Sequence, residues 1–212
     1  MGSPVTCAHG LPIGDCIAPG CPVWLGDPHG VRPWRTGWSL SWYSGAASHD
    51  TLVGRLVHDA KYGHAPLPDR QRDAEDLADR MMGLIGQVYE PEGLPFSVVM
   101  SPPSHQAKPF ELAAYLCDQI AEGFELTNAS EHLHESRPVS TMKAVPDVAE
   151  RLALLEDALT FDPPTKFREP KGFLIVDDVF ETGATAAAIC RVLQVRFPDS
   201  QYHVLTAACT RR

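Results

Sequence analysis

The sequence lacks any apolar run that approaches the roughly 20 residues needed to cross a bilayer. Its longest apolar pieces are short, such as residues 173–176, and its N-terminus has neither the basic start nor the apolar stretch of a secretory signal. We therefore expect a cytoplasmic protein with no membrane segment. Basic side chains are also few, 18 against 27 acidic ones, and the charge of -9 argues against direct nucleic-acid binding.

The chain does have enough residues to build a core without help. A chain of 212 residues, 44% of them hydrophobic, can bury roughly 70% of its unfolded surface. In a reducing compartment the six cysteines are better explained as buried thiols or metal ligands than as disulfides. Cys117, Cys190 and Cys209 lie in apolar contexts, which predicts that they are core residues.

The first 37 residues are rich in Gly, Pro and Cys and show no sustained period. They predict a loop-built appendage over residues 1–37, followed by the main domain over residues 38–212. Four side chains of the appendage could hold a tetrahedral Zn²⁺, which would order a segment that has few apolar residues. These four are Cys7, His9, Cys16 and Cys21. Simple thiols, or His29 as a different fourth ligand, remain alternatives.

Beyond residue 37, strand and helix patterns alternate along the chain. Large apolar and small polar residues alternate over residues 38–43, which predicts a half-buried strand. Further strands are predicted over 96–101, 172–178 and 202–208, and helices over 52–63, 69–88, 110–122, 147–158 and 184–195. Residues 128–147 predict a mobile or substrate-covering loop. The alternation predicts an α/β fold with a mainly parallel central sheet flanked by helices.

One segment, residues 173–185, combines features that suit a ligand site. Asp177 and Asp178 follow an apolar strand, and the turn over 182–185, Thr-Gly-Ala-Thr, opens the next helix. Ligands of open α/β sheets bind at the carboxyl ends of strands, and the backbone N–H groups of a helix start bind phosphate. The adjacent carboxylates suit sugar hydroxyls or Mg²⁺. The segment predicts a phosphorylated-sugar site with a metal, the alternative being that the acids cap the strand and Thr182 caps the helix.

Residues 173–185 resemble the thirteen-residue phosphoribosyl pyrophosphate signature of the type I phosphoribosyltransferases. Residues 43–63, which end in Lys61-Tyr62-Gly63, resemble a segment of the ComF-like branch of that family. Residues 98–104 fall where this branch has its pyrophosphate loop, and the Cys-rich start falls where it carries a small zinc-binding module. The resemblance implies a type I phosphoribosyltransferase-like fold with a small Cys-rich N-terminal subdomain.

The resemblance also implies roles for individual residues. Asp177 and Asp178 would contact the ribose hydroxyls and Mg²⁺ of the donor, phosphoribosyl pyrophosphate. The resemblance implies that Thr182, Gly183, Ala184 and Thr185 bind the 5'-phosphate and that Ser101 and Pro102 bind the pyrophosphate, with Lys61 or Lys108 as counter-charges. Val179 and Phe180 are further substrate-binding residues that it implies. The acceptor would be a nucleobase-like nitrogen, pyrophosphate would be released, and a homodimer or a protein partner is expected.

Two departures from the family pattern affect the predicted activity. Glu181 stands where many relatives have Thr, so it could act as a general acid or base toward a ring nitrogen, or be an exposed acid favoured by the helix dipole. Residues 105–110 lack the arginine of the ComF-like pyrophosphate segment. The alternative to an enzyme is therefore a non-catalytic sensor or partner-binding protein associated with competence, DNA processing or defence; a defence effector that consumes the donor is a third reading.

Overall fold

Strands and helices alternate along the part of the chain that the structure, a computed structural model, describes: residues 21–25, 33–44, 51–89, 93–104, 109–136, 148–156, 158–164 and 167–210. The strands are β1 (Val23–Trp24), β2 (Thr36–Trp42), β3 (Val98–Met100), β4 (Thr127–Asn128), β5 (Leu133–Glu135), β6 (Leu159–Phe161), β7 (Gly172–Phe180) and β8 (Gln201–Cys209). The helices are α1 (Leu52–Tyr62), α2 (Leu67–Val88), α3 (Leu112–Gly123), α4 (Val148–Glu156) and α5 (Ala184–Arg196).

Six of the strands form one sheet in the order β1-β2-β8-β7-β3-β4. The five strands from β2 to β4 are mutually parallel, and only the short edge strand β1 runs antiparallel to its neighbour among them. The predicted α/β fold with a mainly parallel sheet is therefore confirmed. Because parallel strands end at one edge, the residues that follow β2, β3, β4 and β7 meet at the same side of the molecule.

The sheet separates two hydrophobic cores because successive side chains of a strand point to opposite faces. Leu174 and Val176 of β7 pack with residues of α1, α2 and α3. Phe173 and Ile175 of the same strand pack with residues of α4 and α5. Burial on both faces explains why β7 has a continuous apolar sequence instead of an alternating one.

The same burial corrects the prediction of a half-buried strand over residues 38–43. Ser39 and Ser41 are fully buried, whereas Trp38 and Trp42 are only partly buried. The Ser39 hydroxyl donates a hydrogen bond to the Ser41 carbonyl at 3.1 Å, which satisfies it inside the protein. Alternation of large and small residues here reflects the space available on each face of β2 and not contact with solvent.

The structure also differs from the loop predicted over residues 128–147. Within the described part, a 3-10 turn over Ser130–His132 leads into β5, which pairs antiparallel with β6 in a separate two-stranded sheet. The partner strand β6 begins 26 residues after β5 begins, so no local period in the sequence could indicate the pairing. Residues 137–147 lie outside the described residues.

At the N-terminus, the described residues extend the central sheet. Val23 and Trp24 pair with Ser39 and Trp38 of β2, and Cys21 is buried. Cys7, His9 and Cys16 lie outside the described residues, so the appendage and its zinc site stay predictions. Cys117, Cys190 and Cys209 are buried, which confirms their prediction as core residues.

A polar cluster lies at the amino-terminal edge of the sheet, away from the predicted site. The Thr36 hydroxyl lies 2.7 Å from both the Tyr89 hydroxyl and Nδ1 of His203. Nε2 of His203 is buried and has no hydrogen-bond partner among the described residues. Burial, with a smaller contribution from the charge of Arg35, lowers the pKa of His203 to about 4.

The lowered pKa of His203 predicts that the folded protein loses stability in mild acid. Between about pH 6.5 and about pH 4 the unfolded chain binds a proton at His203 that the folded chain does not, so the free energy of unfolding falls as the pH falls, by up to about 3 kcal/mol. Urea unfolding measured at pH 7.5 and pH 4.5 should show this drop. In His203→Asn the drop should shrink by that amount, whereas His58→Asn, on the surface, controls for loss of an imidazole. If the free energy of unfolding of His203→Asn falls as much between the two pH values as that of the wild type, groups other than His203 cause the fall.

Candidate active site

The two predicted acids lie at the carboxyl end of β7, next to the turn that opens α5. The carboxylate of Asp178 is largely buried, with 9% of its side chain exposed. Oδ1 of Asp177 accepts a hydrogen bond from the backbone N–H of Asp178 at 2.8 Å. This bond fixes the Asp177 carboxylate beside its neighbour, so two acidic groups share one small region at the sheet edge.

Lys61 lies against this acid pair. Its Nζ is 2.6 Å from Oδ2 of Asp178, and 25% of its side chain is exposed. Burial alone would lower the pKa of Lys61, but the attraction and hydrogen bond of Asp178 outweigh it and the net pKa is raised. The structure therefore joins three of the predicted site residues, Asp177, Asp178 and Lys61, in one charged cluster.

Helix α1 carries Lys61 to the acids because both of its ends are fixed. At the N-terminus, the Thr51 hydroxyl donates to the carbonyl of Trp42 at 2.6 Å and accepts from the N–H of Gly54 at 2.9 Å. This residue thus caps the helix and ties it to the end of β2. In the last turn, Arg70 of α2 donates to the carbonyls of Ala60 and Lys61.

The acid pair is electrostatically costly in the absence of a ligand. Burial and, after it, the like charge of Asp178 raise the pKa of Asp177 to about 8. One cation, the Lys61 ammonium, faces both carboxyl groups of this cluster. A second cation or a set of hydroxyl donors would relieve the repulsion between the two acids, and such a perturbed acid pair is typical of a ligand site.

The turn after β7 places a left-handed glycine directly before helix α5. Gly183 has φ 81°, in the left-handed region that favours glycine, and its carbonyl accepts the N–H of Ala187 at 2.8 Å to begin α5. The Thr182 hydroxyl accepts the N–H of Ala184 at 3.2 Å. This bond agrees with the alternative role of Thr182, in which its side chain caps the helix. The backbone N–H groups that follow in the first turn of α5 have no partner within the helix.

Two aromatic rings hold this turn in place. Phe180 packs edge-on against the buried Trp34, with the ring centroids 6.0 Å apart. A Cβ added at Gly183 would lie 2.8 Å from the Phe180 ring and 2.9 Å from the Trp34 ring. Phe180 was predicted to line the substrate site; the structure places its ring, together with that of Trp34, beneath the turn. Val179 packs on the opposite face of the sheet.

The predicted pyrophosphate loop follows β3 at the same edge. Ser101 is buried, and its backbone N–H donates to the Ser130 hydroxyl at 2.9 Å. That hydroxyl in turn donates to Oδ1 of Asn128 at 2.7 Å, and Nδ2 of Asn128 donates to Asp118 at 2.6 Å. The network attaches the start of the loop to the end of β4.

Sequence reasoning missed this network. Asn128 and Ser130 fell within the predicted loop, and their position at a strand end was the signal that could have identified them.

The structure also describes three other predicted site residues. Pro102 is partly buried after Ser101, Glu181 is exposed in the turn before α5, and Thr185 is partly buried in the first turn of α5. Lys108 and residues 105–107 lie outside the described residues.

The residues present fit a magnesium ion shared with a substrate. Among the described residues no group of three or more His, Cys, Asp or Glu side chains is placed to hold a metal ion. Mg²⁺ commonly binds through one or two carboxylates and takes its other ligands from substrate phosphates and water. Asp177 and Asp178 supply oxygen ligands of this kind. For zinc, Cys21 is the one predicted ligand within the described residues, and the predicted site remains untested.

No protein-family model matches the chain, and no curated protein matches it. Among solved structures, the chain is similar to the Helicobacter pylori xanthine-guanine-hypoxanthine phosphoribosyltransferase, at 13% sequence identity and a TM-score of 0.37. The match covers 65% of this chain and 84% of the other. No helix within the described ranges has the length and apolar character needed to span a bilayer.

Proposed function

We propose that the protein is a phosphoribosyltransferase that uses phosphoribosyl pyrophosphate and Mg²⁺ to attach a ribose 5-phosphate to a nucleobase-like nitrogen. The observation that carries the proposal is the cluster of Lys61, Asp177 and Asp178 beside the glycine turn that opens α5. Two acids and a lysine next to a helix start supply groups for hydroxyls, a cation and a phosphate within one site. The resemblance of residues 173–185 to the family signature supports the same assignment.

In this proposal each part of the site binds one part of the donor. The turn over 182–185 binds the 5'-phosphate through backbone N–H groups and the Thr182 and Thr185 hydroxyls. Asp177 and Asp178 accept hydrogen bonds from the two ribose hydroxyls and stabilise the positive charge that develops as the bond to pyrophosphate breaks. Magnesium, bound by these acids and the donor, would neutralise the leaving pyrophosphate. The residues after β3 bind the pyrophosphate, and the acceptor nitrogen takes its place at the anomeric carbon.

Glu181 completes the proposed chemistry. It is exposed in the turn between the acids and α5. A carboxylate at this place can remove a proton from a ring nitrogen as the new bond forms. The same proposal includes a ComF-like relationship, a zinc-binding appendage, a homodimer or a protein partner, and a cytoplasmic location.

Donor binding is the first test of the proposal. Calorimetric titration of phosphoribosyl pyrophosphate into the full chain with Mg²⁺ should show saturable binding, and the same titration with EDTA should show much weaker binding. Release of pyrophosphate is then measured with adenine, hypoxanthine, guanine, uracil and orotate as acceptors. Absence of donor binding by the folded protein would refute the enzyme and the sensor alike.

The second candidate is a sensor that binds the donor without turning it over. It is favoured by the state of the pyrophosphate loop, where the Ser101 N–H is already used by Ser130, and by the absence of an arginine at residues 105–110. Both features leave fewer groups for the leaving pyrophosphate. Tight donor binding without pyrophosphate release by any acceptor would favour the sensor, and turnover would exclude it.

A further inference from the structure

A row of polar residues crosses the central sheet and ends at Asp177. The parallel registers align Ser39 of β2 with Thr206 of β8, and Thr206 with Asp177 of β7. Val176 and Leu205, which directly precede the last two of these residues, pack with α1, α2 and α3. Because side chains alternate along a strand, the row faces the other side of the sheet, where α4 and α5 lie. Ser39 and Thr206 are fully buried there.

Thr206 is the member of this row whose hydroxyl is unused. The Ser39 hydroxyl donates to the Ser41 carbonyl at 3.1 Å, so folding already satisfies it. Oγ1 of Thr206 is buried and has no hydrogen-bond partner among the described residues. A buried hydroxyl without a partner destabilises the folded state, because it has lost its bonds to water and gained none in exchange. Folding therefore does not explain why a threonine stands here.

Asp177 is the acceptor that the register places next to this hydroxyl. Its Oδ1 accepts the backbone N–H of Asp178, and a carboxylate has about four acceptor positions, so acceptor capacity remains. The Lys61 ammonium pairs with Asp178 at 2.6 Å. Neighbouring strands lie about 4.8 Å apart, a separation that rotation of the Thr206 and Asp177 side chains can convert into a hydrogen bond.

We propose that Thr206 is a positioning residue of the donor site. The inference rests on the proposed function, which brings the ribose hydroxyls and the cation to Asp177 and Asp178. As they bind, the Thr206 hydroxyl donates to one oxygen of Asp177 and holds the carboxylate in the orientation that the ligand needs. The unused donor gains its partner only in the bound state, so its cost to the free protein contributes to binding.

Thr206→Val separates this role from a structural one, because valine has nearly the shape of threonine and lacks the hydroxyl. The urea midpoint of unfolding should rise, since an unpaired buried hydroxyl is removed. In calorimetry with Mg²⁺, affinity for phosphoribosyl pyrophosphate should fall by about 10- to 100-fold, since a hydrogen bond to a charged group is lost. A residue that only packs the sheet would not lose ligand affinity while stability rises.

Thr206→Ser should give the opposite pair of results. It keeps the hydroxyl and removes a buried methyl group, so the urea midpoint should fall while donor affinity stays within about threefold of the wild type. Ser39→Ala is the control within the same row, because it removes a hydroxyl that is already paired. It should lower the midpoint and leave donor affinity unchanged. Circular dichroism verifies that each variant is folded.

Different results overturn the inference and the proposed function. If Thr206→Val binds the donor as tightly as the wild type, or if its urea midpoint falls, the inference is refuted and the proposed function stands. If Thr206→Ser loses as much affinity as Thr206→Val, the hydroxyl is not the group that matters, and the inference is again refuted. If the wild type itself does not bind the donor, the proposed function is refuted and the inference falls with it.

Discussion

Replacing both strand-end acids, in Asp177→Asn/Asp178→Asn, should weaken binding of phosphoribosyl pyrophosphate with Mg²⁺ at least 100-fold in calorimetry. Each carboxylate accepts charge-assisted hydrogen bonds or ligates the cation, and each such interaction contributes about 1.5–3 kcal/mol. The substitution also leaves Lys61 without the carboxylate that now lies 2.6 Å away. Both losses fall on the donor site and spare the sheet that supports it.

The control for this variant must remove the same charge elsewhere. Asp76→Asn/Asp199→Asn does so at two exposed positions, of which Asp76 pairs with Arg80 on the surface of α2. It should bind the donor as the wild type does. Circular dichroism must show that the site variant is folded. If the folded variant binds the donor within threefold of the wild-type affinity, the acids do not form the donor site.

Gly183→Ala should destabilise the protein, because the added side chain strains the turn that opens α5. At φ 81° a side chain costs about 1–2 kcal/mol, and the new Cβ would collide with the rings of Phe180 and Trp34. We expect the free energy of unfolding in urea to fall by about 2–4 kcal/mol. Donor affinity should fall too, because the turn that binds the 5'-phosphate is displaced.

Gly86→Ala is the matched control. Gly86 lies exposed in α2, and a Cβ added there meets nothing within 4 Å. The same chemical change should therefore stabilise the protein by about 0.5–1 kcal/mol, because alanine favours a helix interior more than glycine does. Opposite signs for the two variants would locate the effect in the turn. A Gly183→Ala protein as stable as the wild type would show that the turn adapts freely.

The parts of the site that the sequence predicted are those encoded by contiguous residues. The strand with its acids and the glycine turn lie within residues 173–185, so local sequence determines their relation to one another. The contact of Lys61 with Asp178 joins residues 117 positions apart, and sequence offered Lys61 only as one of two counter-charges. The order of the parallel strands brings Lys61 and Asp178 together. Neither the composition nor the hydrophobic periodicity of the sequence reveals that order.

The missed features have the same physical origin. Pairing of β5 with β6 and the hydrogen bonds that Ser101 donates to Ser130 depend on which segments become neighbours after folding. Burial of Ser39 and Ser41 likewise depends on the helices that cover β2. A small polar residue in a strand suits both solvent and a tightly packed interior, so the sequence alone could not distinguish the two environments.

The order of strands has a consequence for synthesis of the protein. β2 joins the larger part of the sheet only through β8, which the ribosome produces about 160 residues later. Throughout that interval the tryptophan-rich strand and β1 have no partner in the rest of the sheet, and their unpaired edges are open to aggregation and to chaperones. Loss of β8 from a truncated product would detach both strands, so such products should be recognised and degraded.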